Sequence, residues 1–189
     1  MNHIKLASAL AVVLGMSVAG AASAAATGGT IRFTGAVTDE TCTISGGAGT
    51  DGGTGNFVVA LDPVRASQLP AAAAVAGKKP FQVIIGGPGQ GSCVNGKVAR
   101  LSFLTSSPRV DPATGALTNA LVGEATNTQV QVLNDAGTPI DLADPANGVN
   151  SPAIANNTAT IDLQSQYLAT GAATPGLVDT SVVYAVSYN

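Results

Sequence analysis

The chain has 189 residues, a formal net charge of −3, only 10% charged residues, no tryptophan and one histidine. Nucleic acid and anionic membrane are poor partners for such a surface, because both demand clustered Lys and Arg. The low charge content points instead to a surface covered in part by partner subunits rather than by water.

Lys5 precedes an apolar run over residues 6–22, followed by Ala22-Ser23-Ala24, a small-x-small cleavage signature. Residues 1–24 therefore read as a secretory signal peptide, with Ala24-Ala25-Ala26 as a second cleavage frame. The run is too short and too rich in Ala and Gly for a retained membrane anchor. Its removal takes away Lys5 and the only histidine, His3. The remaining length fits one domain, and abundant Gly, Thr, Val and Ala with frequent Pro fits an all-β architecture of short strands and turns. Export carries the only two cysteines, Cys42 and Cys93, into an oxidising compartment, where they are expected to form one disulfide. Closing a loop of about 50 residues is worth about 4 kcal/mol in the chain-entropy account. A metal pair would have to find its other ligands among carboxylates alone, so neither a metal nor a cofactor is expected.

In residues 30–43, Ile31, Phe33, Gly35 and Val37 alternate with Arg32, Thr34, Ala36 and Thr38, the pattern of a half-buried strand. Residues 45–55 form a Gly-rich loop, 56–61 a strand, and 63–77 an Ala-rich stretch around Pro70, within which 71–76 suits a helical turn as well as a loop. Residues 81–85 are an apolar strand ended by Gly86-Gly87-Pro88, and 97–104 are another. Residues 108–119 are a turn-rich excursion in which Leu117 starts a short strand. A strand over 129–133 runs into the turn Asn134-Asp135-Ala136-Gly137 and on to 138–142, and 144–152 read as loop. The last two strands, 158–168 and 178–188, are divided by 171–176. The final one places Val182, Tyr184, Val186 and Tyr188 on one face, and the chain stops on it. The expectation is an edge that stays open or takes a strand from another molecule.

Catalytic signals are weak. Gly91 to Lys97 satisfies the spacing GxxxxGK, but Val98 stands where a magnesium-binding Ser or Thr is needed and no helical pattern follows. Serine chemistry has no histidine to act as base, and nothing locates a pair of acids in a cleft. Asp135, Asp141 and Asp144 lack calcium-loop order and sit where turn residues do. Asn156-Asn157-Thr158 is a formal glycosylation sequon, without meaning in a bacterial host. No enzymatic activity and no small-molecule substrate are expected.

Several stretches together resemble a known family. Phe33-Thr34-Gly35-Ala36-Val37 ahead of Cys42, then Ala125 to Leu133, then Asp135-Ala136-Gly137-Thr138-Pro139-Ile140, with Gly176 and the penultimate Tyr188, resemble type 1 fimbrial major subunits of chaperone–usher pili. The resemblance spans essentially the whole chain; the loop over residues 45–55 departs from it in being longer and richer in Gly. It implies an incomplete immunoglobulin-like sandwich lacking its last strand, completed by donor-strand exchange. It also implies export to the periplasm of a Gram-negative bacterium, a periplasmic chaperone, an outer-membrane usher, and head-to-tail polymerisation with other copies into an adhesive surface filament. The expected division is residues 1–24 signal peptide, 25–37 N-terminal donor extension and 38–189 pilin domain. Donor residues are Gly29, Ile31, Phe33 and Gly35, with Val37 near the switch into the subunit's own first strand. The acceptor groove is lined by Val182, Tyr184, Val186 and Tyr188, and the chaperone and usher recognise Gly176, Tyr188 and the Asn189 carboxylate. Two other readings stand beside this one: a minor or adaptor subunit of the same system, and a monomeric secreted binding module. A tip adhesin needs a further domain for which the length leaves no room.

Overall fold

The computed structural model describes residues 41–189. The expected signal peptide, the donor extension with Gly29, Ile31, Phe33 and Gly35, and nearly all of the strand expected over 30–43 lie outside the described residues. Eight strands follow in chain order: β1 (Ile44–Gly46), β2 (Val75–Gly86), β3 (Val98–Phe103), β4 (Leu117–Thr118), β5 (Thr128–Asn134), β6 (Val149–Ala153), β7 (Thr158–Ala169) and β8 (Tyr184–Tyr188). Every pairing is antiparallel, in a five-stranded sheet of order β1-β2-β7-β5-β4 and a three-stranded sheet of order β6-β3-β8. The all-β expectation holds; a single 3₁₀ turn, Ala66–Gln68, is the one helical element among the described residues.

Alternation builds the core. Phe81, Val83 and Ile85 of β2, Ile161 and Leu163 of β7, Val130 and Val132 of β5, and Ala99, Leu101 and Phe103 of β3 are all buried in one cluster. Each large apolar side chain so buried contributes roughly 1.5–3 kcal/mol. On the other face of the large sheet polar side chains bond across strands, Gln82 to Asp162 (2.8 Å) and Gln166 to Gln131 (2.9 Å). The Cys42–Cys93 disulfide, with Cys93 fully buried, ties the stretch before β1 to the turn before β3. Gln90 reinforces this root: its amide nitrogen donates to the Thr41 carbonyl (2.9 Å) and the Thr43 hydroxyl (3.0 Å), and its amide oxygen accepts the Thr43 N–H (3.2 Å).

Several elements differ from the expected ones. β2 starts at Val75, so the end of the Ala-rich stretch is strand rather than helical turn. A register shift between Ala76 and Lys79 lets it pass the bulge at Gly77, which has φ +66° and lies against Val64 and the Tyr167 ring. Residues 149–152, expected as loop, belong to β6: the Ser151 hydroxyl accepts the Ala99 N–H (3.0 Å), and Pro152 is tolerated on an edge strand. Residues 138–142 make only an isolated bridge, Leu133 to Pro139. Asn156 and Asn157, both at positive φ, form the two-residue turn Ala155 to Thr158 that carries the chain from one sheet to the other. Asp141 and Asp144 each accept the backbone N–H two residues on and Asp135 that of its neighbour, which is turn chemistry. Among the described residues no helix is long and apolar enough to cross a membrane.

Candidate functional site: an apolar groove

Two extended segments, residues 56–61 and residues 178–183 leading into β8, belong to no ladder among the described residues, yet each has strand-like burial. In residues 56–61, Phe57, Val59 and Leu61 are half-buried while Asn56, Val58 and Ala60 are exposed. In residues 178–184, Val178, Thr180, Val182 and Tyr184 are half-buried, and Asp179, Ser181 and Val183 are exposed. The expected strand over 56–61 is thus extended but unladdered, and the strand expected over 178–188 is laddered only as β8.

The two segments form the walls of a cavity of about 680 Å³ whose floor is core: Phe81, Val83, Leu101, Phe103, Leu163 and Tyr167. Main-chain polarity gives each wall a used edge and an open one. In an extended chain, successive residues direct their N–H and C=O groups to opposite edges. Asp179 and Val183 spend theirs on the molecule's own framework. The Asp179 carbonyl accepts the Ala120 N–H (2.7 Å), the Asp179 N–H donates to Asn119 Oδ1 (3.0 Å), the Val183 N–H donates to Ser107 Oγ (3.1 Å), and the Val183 carbonyl accepts the Leu104 N–H (2.8 Å). Thr180, Val182, Tyr184 and Val186 turn theirs the other way, where no described residue bonds them. The same division holds across the cavity. The Val58 N–H donates to Asp51 Oδ1 (2.9 Å) and its carbonyl accepts the Asp51 N–H (3.1 Å), which leaves Phe57, Val59 and Leu61 facing the opposite edge.

The walls meet at one end. The Tyr184 hydroxyl donates to the Gly55 carbonyl, and its ring lies 5.8 Å from that of Phe57. Burial pushes the Tyr184 hydroxyl above the usual tyrosine range, so it stays a donor at every physiological pH. Tyr167, on the floor, is shifted the same way by burial and by the Asp62 charge. Asp51 is held below the ordinary carboxylate range by the N–H groups of Val58 and Gly53. Among the described residues no cluster of His, Cys, Asp or Glu can hold a metal ion. The cavity is of a size that small ligands fill. Two facing rows of main-chain donors and acceptors above an apolar floor suit an extended peptide better, because a strand can bond both edges while its alternate side chains fill the floor.

Of the residues expected in the groove, Val182 and Tyr184 lie in its lining. Val186 and Tyr188 are half-buried on β8 opposite Leu101 and Ala99, pack against the core, and are not part of that lining. Gly176 sits where a side chain would run into the Glu124–Ala125 peptide, a packing requirement independent of any recognition role. Asn189 exchanges both main-chain hydrogen bonds with Val98 (3.0 and 3.1 Å). The sequence reading missed the opposite wall, Phe57, Val59 and Leu61, and the floor residue Tyr167. The period-two alternation over 56–61 carried the signal for a strand but not for the cavity beside it.

The chain is 37% identical over 181 residues to the major fimbrial subunit SMF-1 of Stenotrophomonas maltophilia (strain K279a), covering 92% of this chain and all of that one. It is 32% identical to the F17 fimbrial protein of Escherichia coli, covering 93% of this chain and 96% of that one. The crystal structure of the P pilus rod subunit PapA superposes with a TM-score of 0.54 at 16% identity, over 78% of this chain and 99% of that one, a likeness of fold. No protein-family model matches the chain.

Proposed function

Because this chain belongs to the type 1 fimbrial family of chaperone–usher pilus subunits, we propose that it is the major structural subunit of a fimbria, polymerising head to tail by donor-strand complementation. As a fimbrial subunit it is a structural protein of a surface pilus and not an enzyme. The observation that carries the proposed mechanism is the apolar cavity between residues 56–61 and 178–184, with main-chain groups on both sides and core beneath.

The occupant is the extension over residues 25–37 of another copy, with Gly29, Ile31, Phe33 and Gly35 turned to the floor. Burial of Ile31 and Phe33 contributes roughly 1.5–3 kcal/mol each, and each main-chain hydrogen bond about 1 kcal/mol net. Ordering the extension and losing free rotation of one subunit offset part of this. An interface in which one surface of each copy meets a different surface of the next does not close, so it yields a filament. An open apolar groove of this kind is a hazard before assembly, which is the reason for a periplasmic chaperone to cover it and for an outer-membrane usher to receive the subunit. Gly176, Tyr188 and the Asn189 carboxylate remain the residues proposed for that recognition. The route is a signal peptide over residues 1–24 and passage through the periplasm, and the domain proper is 38–189.

The test is a synthetic peptide spanning residues 25–37 added to the purified mature protein. Binding with a rise in melting temperature that grows with peptide concentration is expected. A protein that neither binds the peptide nor gains stability would be a self-sufficient module, and the proposal would fall.

A further inference from the structure

We infer that the Tyr167 hydroxyl is the polar recognition group on the groove floor, donating a hydrogen bond to a main-chain carbonyl of the extension over residues 25–37 of another copy. The inference rests on the strand complementation proposed above and deepens it, because it assigns a polar contact to a floor that is otherwise apolar.

Tyr167 is only 9% exposed, and it lines the cavity. Two other hydroxyls of the lining are already engaged: that of Tyr184 donates to the Gly55 carbonyl, and that of Thr180 to the Thr118 carbonyl (2.8 Å). The Tyr167 hydroxyl makes no hydrogen bond with any described residue. No fully enclosed side-chain oxygen among the described residues lacks a partner, so this hydroxyl opens onto accessible space rather than into sealed core. In the free subunit water can serve it. A strand laid over the floor expels that water and either supplies a new acceptor or leaves a buried donor orphaned, at a cost to binding.

Backbone register places the group along the groove. Ala76, Tyr167, Val130 and Leu117 stand side by side across β2, β7, β5 and β4. Just beyond Leu117, the Thr118 carbonyl accepts the Thr180 hydroxyl and the Ala120 N–H donates to the Asp179 carbonyl (2.7 Å), so this row lies beneath the start of the 178–184 wall. The other wall ends there too. Asp62, next after Leu61, is close enough for its charge to act on the Tyr167 hydroxyl, and Gly77 lies against both Val64 and the Tyr167 ring. Tyr167 thus marks the end of the groove away from the Tyr184–Phe57 contact. Facing sheets stand about 10 Å apart, and a tyrosine extended across most of that space brings its hydroxyl up to the main chain of the strand above it. The two walls run in opposite senses, so a strand antiparallel to one is parallel to the other. The inference holds for both directions of entry. With Ile31 and Phe33 over the middle of the floor, the donor set carries a glycine at each end, Gly29 and Gly35, and either direction brings a residue without a side chain over Tyr167.

The experiment compares the purified mature protein with its Tyr167→Phe variant, each titrated with a synthetic peptide spanning residues 25–37. Without peptide, the variant is expected to melt no lower than the wild type, since the hydroxyl has no protein partner to lose. With peptide, it is expected to bind about 2- to 10-fold more weakly, mainly through faster dissociation. Equal affinity of the two proteins overturns the inference and leaves strand complementation standing. So does weaker binding accompanied by a lower melting temperature of the free variant, which would make Tyr167 a packing residue. Failure of the wild-type protein to bind the peptide overturns strand complementation and this inference with it.

Discussion

β2 and β7 on one side of the core, and the groove walls on the other, share one sequence pattern and differ in one property. Phe81, Val83 and Ile85 alternate with Gln82 and Ile84 much as Phe57, Val59 and Leu61 alternate with Val58 and Ala60. β2 is laddered to β7 from Val75 opposite Leu168 to Gly86 opposite Thr158, whereas residues 56–61 have no ladder among the described residues. Alternation in sequence specifies an extended chain with one face inward; it does not specify where the neighbour comes from. Under the strand complementation proposed above, a wall prepared for a partner from outside has the composition of any half-buried strand.

The contrast can be broken most completely at the donor. Phe33→Asp should abolish filaments seen by electron microscopy while leaving the folded domain and its disulfide intact, since it places a charge in the groove of the neighbour and not in the subunit's own core. Filaments of normal abundance would remove Phe33 from the donor set. Next, Ile161→Ala in β7 should cost about 2–5 kcal/mol in the isolated subunit by denaturant titration. Val59→Ala should cost well under half of that alone, and more once the peptide over residues 25–37 fills the groove. Equal costs in the two states would mean that Val59 is ordinary core. Reduction of Cys42–Cys93 should cost about 2–5 kcal/mol. Tyr184→Phe keeps the ring on Phe57 and removes the hydrogen bond to Gly55, for a loss of about 0.5–1.5 kcal/mol, together with faster peptide entry in stopped-flow measurements as the walls part more easily.

The smallest effect concerns pH. Asp51 anchors the 56–61 wall through the Val58 N–H, and this bond holds its carboxyl below the unfolded value of 3.8. A depressed carboxylate contributes stability that is complete above the unfolded pKa and is lost as pH falls through the lower folded one. Subunit stability should therefore be flat from pH 7 to pH 5 and decline only below about pH 4, and Asp51→Asn should reduce that decline. Asp111, held low by the Ala113 N–H and Gln129, adds a similar acid loss away from the groove.

Much of the molecule is legible in its sequence where local pattern and long-range partner agree. The strands around Phe81, Leu101, Val130 and Ile161 fall where alternation and turn residues put them, and the disulfide joins the only two cysteines. The misreadings have a common physical cause. β6 was hidden because Asn150, Ser151 and Pro152 are poor strand formers that tertiary hydrogen bonding, Ser151 to Ala99, holds in the ladder. The start of β2 was hidden because Gly77 and its bulge interrupt the period. In the groove, one wall was legible from Val182 and Tyr184, but Phe57, Val59 and Leu61 became its counterpart only when the fold brought residues more than a hundred positions apart to face each other.

The central claim is that both walls gain a strand on assembly. Amide hydrogen exchange of Phe57, Val59, Leu61, Val182 and Tyr184, measured in the mature subunit and in filaments under the same conditions, tests it directly. These amides are predicted to exchange freely in the subunit and to be strongly protected in the filament, while those of β2 and β7 are protected in both. Unchanged exchange along either wall when filaments form would contradict the account.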